Sequence, residues 1–173
     1  MRAIVQRVRQ AEVEVDGRVT GRMERGLLVY VGVAPSDAQG DVDWLAGKVA
    51  CLRIFQDDKG KMNLSVQDVG GGVLVVPNFT LLADAAKGRR PAFVGAAPPD
   101  LARGLYDALV SALAKVGCQV ACGVFGAHMT IRSAADGPVN IILDTLDAGA
   151  PPQQILDTVD AGAPPEQETQ TPE

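Results

Sequence analysis

Residues Gly70 to Asp84, GGGVLVVPNFTLLAD, constrain the fold more than any other stretch of the chain. Val73-Leu74-Val75-Val76 is an apolar, mostly β-branched run, the pattern of a strand buried on both faces. Gly70-Gly71-Gly72 gives it a flexible approach. Pro77 has no N–H, so it either ends ladder pairing or marks a sheet edge. Polar Asn78 and Thr80 then flank Phe79 at the mouth of the strand. Side chains and N–H groups at a buried strand end are well placed to meet a ligand, but the same residue types also make an ordinary turn. The residues alone leave both readings open.

Around that strand the sequence reads as a single β-rich α+β domain, a mainly antiparallel sheet or partial barrel with two main helices. Residues 1–9 and the alternating Ala11 to Val15 read as strands, Asp16-Gly17 as a hairpin turn, and Arg18 to Met23 as the returning strand. Leu27 to Val33 is a buried strand, so the first thirty-odd residues predict a β-meander. A helix is expected from Gln39 to Cys51, with Val42, Leu45, Val49 and Leu52 as its stripe. Arg53 to Phe55 is a short strand, and Asp57-Asp58-Lys59-Gly60 is a solvated turn that lacks the twelve-residue calcium pattern. The second helix runs from Leu101 to about Val116, with Leu101, Leu105, Leu109, Leu113 and Val116 buried and Gly117 as its C-terminal cap. Gln119 to Val124, His128 to Ser133 and Val139 to Leu143 are further strands, with Asp136-Gly137-Pro138 as a turn.

The chain has 173 residues, of which 47% are hydrophobic, enough for one domain with a real core. Aromatic residues make up 4%, so that core is built from Val, Leu, Ile and Ala. No apolar run reaches the roughly 18 residues of a membrane span. The N-terminal MRAIVQRV carries charges within its apolar pattern, unlike a signal peptide. These features predict a cytoplasmic protein with no membrane partner. Cys51, Cys118 and Cys122 sit in apolar surroundings without a second ligand pair, which predicts buried free thiols and no metal.

Charge is unevenly placed. The net charge is −5, yet residues 1–143 hold 16 basic against 14 acidic side chains. From Asp144 onward there are seven acids and no Lys or Arg. Residues 142–154 recur as 155–167 with only Leu146/Val159 and Gln153/Glu166 exchanged. Two copies are too few for a solenoid, and the Pro, Gly, Ala and acid content favours disorder. The globular domain is therefore expected over 1–145, with 146–173 as a disordered acidic tail. The body can still show a basic patch to a polyanion, and Lys87-Gly88-Arg89-Arg90-Pro91 is the candidate loop.

Few residues offer side-chain catalysis. A Ser or Cys nucleophile needs a histidine base, and the only one, His128, falls in an expected strand, where a structural role is the plainer reading. There is no HExxH, no P-loop and no dinucleotide-binding glycine pattern. Gly70-Gly71-Gly72 precedes its strand, the wrong order for a phosphate loop. An enzyme of this composition would work through backbone dipoles, hydroxyl or amide groups, or a group of its substrate.

Across residues 1–143 the chain resembles the D-aminoacyl-tRNA deacylases, also called D-tyrosyl-tRNA deacylases. The resemblance is carried by MRAIVQRV, by Gly26 to Val33, and by Arg53-Ile54-Phe55. It continues through Gly60 to Leu64, Val73 to Val76, Arg89 to Phe93, Leu105-Tyr106, and Phe125 to Met129. Its most specific points are Pro77-Asn78-Phe79-Thr80-Leu81, where the family has Ser-Gln-Phe-Thr-Leu, and Gly137-Pro138-Val139-Asn140, where it has Gly-Pro-Val-Thr. The resemblance implies a homodimer, with no cofactor, that hydrolyses the ester joining a D-amino acid to the 3′ end of tRNA. It implies that Asn78, Phe79 and Thr80 form the catalytic segment, with backbone N–H groups and the substrate's 2′-OH in place of a side-chain base. It makes Gly137-Pro138, joined by a cis bond, a chiral gate entering the partner subunit's site, with Arg7 bracing it and Met129 lining the pocket. Lys87, Arg89 and Arg90 would meet tRNA phosphates.

Without the family, Gly137-Pro138 is a plain turn, Arg7 a surface ion pair, Met129 core packing and the basic loop a solvated surface. Pro77, Asn78 and Asn140 depart from the family pattern. Because a related group of deacylases, acting on mischarged L-alanyl-tRNA, also begins the motif with Pro, that substrate is one alternative. A non-catalytic module that binds the aminoacylated tRNA end is another, and a purely structural dimer a third.

Overall fold

A computed structural model describes residues 1–147. Of the expected tail, the duplicate copy and everything from 148 onward lie outside the described residues. The sheet is organised by β1 (Arg2–Val15), a single strand rather than the two that the sequence suggested. It stays continuous because β8 (Thr130–Asp144) pairs antiparallel with it on both sides of a bulge, from Arg2 to Glu14. On its other side β3 (Gly26–Gly32) pairs with residues 2–8 and β2 (Arg18–Met23) with residues 11–15. β2 and β3 therefore lie end to end beside one long neighbour, which replaces the expected meander.

From β3 the sheet becomes parallel: β3 pairs with β6 (Gly72–Pro77), and β6 with β7 (Gln119–Cys122). The crossovers carry α1 (Gln39–Cys51) and α2 (Pro99–Lys115), as parallel pairing requires. A small hairpin, β4 (Phe55–Gln56) with β5 (Met62–Leu64), stands apart; β5 was not foreseen.

Alternation in the strands feeds two cores. Leu27, Val29, Val73 and Val75 meet Val42, Leu45, Val49, Leu109 and Leu113 of the helices. Leu28, Leu74 and Val76 point the other way and join Val8, Val13 and Met23 inside the curl of the sheet. On α2 the buried residues are Tyr106, Leu109 and Leu113, while Leu101 and Val116 are exposed. A row spaced strictly by four turns 40° about the axis at each step, so its two ends leave the buried face. Cys118 is buried and burial raises its thiol pKa, but Cys51 and Cys122 are exposed, contrary to expectation. All three are free thiols. Among the described residues no helix is long and apolar enough to cross a membrane.

The expected turn at Asp136-Gly137-Pro138 is not a reversal. Gln6 faces Asn140 and Val8 faces Ala135, so residues 136–139 bulge out of β8 opposite Arg7 alone. Pairing with β1 resumes on both sides, and the chain keeps its direction.

Candidate active site

The parallel strands β3, β6 and β7 end side by side, and the segments leaving them enclose a cleft of about 420 Å³. Val31 and Val33 come from the end of β3, Pro77 to Thr80 from β6, and Phe125 to Met129 from the loop after β7. Carboxyl ends of parallel strands are where loops diverge and leave room for a ligand. Tyr106 of α2 and Ile131 of β8 complete an apolar lining.

Pro77 ends β6 between two neighbouring strands, so it closes a ladder and does not mark an edge. Pairing skips to the next residue: the Asn78 N–H donates to Val31 O at 2.7 Å. Asn78 then caps a 3-10 turn, Phe79–Leu82. Its Oδ1 accepts both the Thr80 N–H, at 3.1 Å, and the Thr80 hydroxyl. This is the local bond that a short Asn side chain makes with the backbone two residues on. Among the described residues no acceptor takes the Phe79 N–H.

The Phe79 ring is 57% exposed at the mouth and meets Phe93 edge-on, with centroids 5.0 Å apart. Phe93 follows a loop closed by reciprocal 2.8 Å bonds between Asp84 and Ala92. Lys87, Arg89 and Arg90 stand exposed on that loop. The aromatic contact thus ties the basic loop to the cleft.

Across from the motif, the loop after β7 is held by α2. The buried Tyr106 hydroxyl donates to Val75 O at 2.9 Å and lies 3.3 Å from Gly123 O. Burial pushes its pKa well above the ordinary tyrosine value, which keeps the donor proton in place. The Arg103 guanidinium lies 4.7 Å from the Phe125 ring centre. His128 is exposed in this loop and lines the cleft; it is not the strand residue that alternation suggested. Tyr106, Phe125 and His128 were not foreseen as site residues, and the glycines at 123 and 126 were the available sign that a loop intervenes.

Gly137, Pro138 and Arg7 gather elsewhere. The Gly137–Pro138 bond is cis and its two residues are exposed. Gly137 has φ +133°, and a Cβ there would stand 2.7 Å from Val139 N. Arg7 is 7% exposed. Its Nε donates to Asp136 O at 3.2 Å and pairs with Asp136 Oδ2 at 3.1 Å, and its Nη1 donates to Ile54 O. None of the three lines the cleft of its own chain. The predicted residues therefore form three groups: Asn78, Phe79, Thr80 and Met129 in the cleft, Lys87, Arg89 and Arg90 on the loop at its mouth, and Gly137, Pro138 and Arg7 at the β8 bulge.

The curled sheet with both helices on one face recurs in solved structures. The c-Myc DNA unwinding element binding protein superposes with a TM-score of 0.79 at 36% identity, over 83% of this chain and 98% of that one. A probable eukaryotic D-amino acid tRNA deacylase gives 0.73 at 17% identity, over 82% and 97%, and so shares the fold.

The sequence is more specific. Residues 4–144 match the model of the D-Tyr-tRNA(Tyr) deacylase family, and the chain belongs to that family. It is 53% identical over 146 residues to the D-aminoacyl-tRNA deacylase of Opitutus terrae, covering 84% of this chain and 97% of that protein. It is 57% identical over 145 residues to the one of Anaeromyxobacter dehalogenans, with the same coverage.

Proposed function

We propose that this chain hydrolyses D-aminoacyl-tRNA in the cytoplasm, releasing the D-amino acid and free tRNA. The observation that carries the reading is one cleft that gathers Asn78, Phe79 and Thr80 at the end of β6, in a chain matching the deacylase family over 4–144.

In the proposed reaction a water oxygen bonds to the ester carbonyl carbon, and the carbonyl π pair moves onto its oxygen. The Phe79 N–H donates to that oxyanion. Thr80 stays fixed by Asn78 and shapes the turn. Collapse breaks the bond to the 3′ oxygen, which leaves with a proton passed through the substrate's 2′-OH. The amino acid departs as its carboxylate, and the second proton of the water goes to solvent.

The α-amino group needs acceptors. The carbonyls of the exposed Gly137 and Pro138 supply them in our reading, presented by a second copy of the chain, so the working unit is a homodimer. An L residue would direct its side chain against this gate. Lys87, Arg89 and Arg90 hold the tRNA backbone outside the cleft.

The deciding experiment compares release of amino acid from D-tyrosyl-, L-tyrosyl- and L-alanyl-tRNA. We expect release from the D-tyrosyl ester alone. Equal release from both tyrosyl esters removes the chiral function, preference for the L-alanyl ester transfers the chain to the related deacylases, and binding without release makes it a recognition module.

A further inference from the structure

In the pairing of β1 with β3, Arg2 stands directly opposite Gly32. Residues opposite one another in an antiparallel pair project from the same face of the sheet. Here one of the two has no side chain, and the turn that carries Phe79 rests in the space. A Cβ at Gly32 would stand 3.0 Å from Asn78 O, 3.3 Å from Leu81 Cβ and 3.3 Å from Leu82 Cγ. Gly32 is buried and is not among the glycines with positive φ, so packing is what excludes a larger residue. Asn78 O is backbone and cannot swing aside. It accepts the Leu81 N–H at 3.3 Å, while the Asn78 N–H is bound to Val31 O. The turn is held at its other end as well. Arg2 Nη1 donates to Leu81 O at 3.2 Å, and the same guanidinium holds Asp144 Oδ2 at 2.8 Å.

We infer that Gly32 is a positioning residue for the reaction: its missing side chain sets the depth at which the turn rests on β3, and with it the place of the Phe79 N–H. This rests on the deacylase reading, in which that N–H meets the oxyanion. The oxyanion forms only when water bonds to the ester carbon, so its donor must already be aimed at the place the oxygen will take. Phe79 lies between Asn78 and Leu81, both of which a Cβ at Gly32 would press. Lifting the turn displaces the N–H relative to a substrate held by the rest of the cleft. A misplacement on the order of 1 Å can cost about a hundredfold in rate. An interaction made only in the transition state shows in kcat and leaves KM alone.

The test measures unfolding stability, kcat and KM for D-tyrosyl-tRNA in the parent, Gly32→Ala, Gly71→Ala and Arg2→Ala. Gly71 is the control. It is buried just before β6, at the end away from the cleft, and a Cβ there would stand 3.0 Å from Arg25 O and 3.1 Å from Val66 Cγ2. Gly32→Ala is expected to lower kcat by about ten- to a hundredfold, short of the roughly 10²–10³-fold cost of losing an oxyanion donor altogether. KM should stay within about twofold of the parent. Gly71→Ala is expected to lose stability and keep kcat. Arg2→Ala frees the end of the turn without pushing it and should lower kcat less than Gly32→Ala does. Equal losses of kcat in Gly32→Ala and Gly71→Ala overturn the inference. So does a Gly32→Ala variant with unaltered kcat, or with its whole loss in KM. If Gly32→Ala does not fold, Arg2→Ala decides: a lower kcat at constant KM supports the seat, and an unaltered kcat overturns it. An active parent with an unaltered Gly32→Ala sinks the seat alone, whereas a parent that does not hydrolyse D-tyrosyl-tRNA sinks the deacylase reading and the seat together.

Discussion

Backbone holds the cleft, and a buried cation holds the bulge of β8. At Asn78 the bonds are to a paired strand and to the next turn: Val31 O of β3 takes the Asn78 N–H, and Asn78 Oδ1 takes both Thr80 donors. Parallel strands on a packed core fix that geometry before any charge is involved. At Gly137 the ladder is interrupted, and residues 136–139 leave β8 without a partner strand. What fastens them is the Arg7 guanidinium, fixed to Asp136 on one side and to Ile54 O on the other. Arg9, 3.5 Å from the second Asp136 oxygen, is mostly exposed and adds little. One half of the proposed site is thus carried by paired strands, and the other is fastened chiefly by one side chain.

Arg7→Ala breaks this comparison at its weak half and has the largest expected effect. It removes the buried partner of Asp136 and leaves Ile54 O without its donor. Breaking a fully buried pair costs about 3–5 kcal/mol; with Asp136 partly exposed, about 2–3 kcal/mol is expected here. Denaturant unfolding measures it. D-tyrosyl-tRNA hydrolysis should fall at least about a hundredfold under conditions where the variant is still folded. Arg7→Lys retains the charge but not the planar fork, and should recover only part of the loss. If Arg7→Ala is folded and fully active, the bulge is held by something else and the contrast fails.

The same contrast explains what could be read from the sequence. The strand Val73 to Val76 and the motif after it were legible because the apolar run stops at a proline, a local event. Gly137-Pro138 was visible as special, but its setting was misread: Asp-Gly-Pro is equally good turn chemistry, and only pairing with distant β1 shows that the strand continues. His128 was misplaced because its neighbours alternate like a strand. Leu101 and Val116 were assigned to a buried stripe whose four-residue spacing carries it around the helix. Tyr106 left no local sign, since its role consists of contacts from α2 to β6 and to the end of β7. The parallel half of the sheet was likewise invisible in strand patterns, although helices between buried strands hinted at it.

A smaller effect is expected at the mouth of the cleft. Arg89 and Arg90 lie on a loop tied to the cleft by Phe93, and both are exposed. Changing them to Ala should leave stability within about 0.5 kcal/mol, the usual range for surface positions. Their proposed work is binding. Each phosphate contact adds roughly 0.7 to 0.9 to the slope of log affinity against log salt. The double variant should therefore bind aminoacylated tRNA with a slope shallower by about 1.4 to 1.8. Titration across a series of salt concentrations reads this directly. An unaltered slope would show that the loop is only a solvated surface and that the tRNA backbone lies elsewhere.

The smallest expected effect sharpens the claim that backbone runs the cleft. His128 is the only histidine in the chain, and it lines the cleft from an exposed position. A side-chain base would most plainly be found there. Losing a positioned general base typically lowers rate by about 10²–10⁴-fold. If the oxyanion is held by the Phe79 N–H and the proton moves through the substrate's 2′-OH, His128 has no proton to carry. His128→Ala should then keep kcat for D-tyrosyl-tRNA within about threefold of the parent, far from the loss a base would cause. Any change should fall on KM, because the imidazole borders the space that substrate occupies. A drop in kcat of a hundredfold with normal stability and KM would place the base in the loop after β7, and the cleft would then depend on one side chain just as the bulge does.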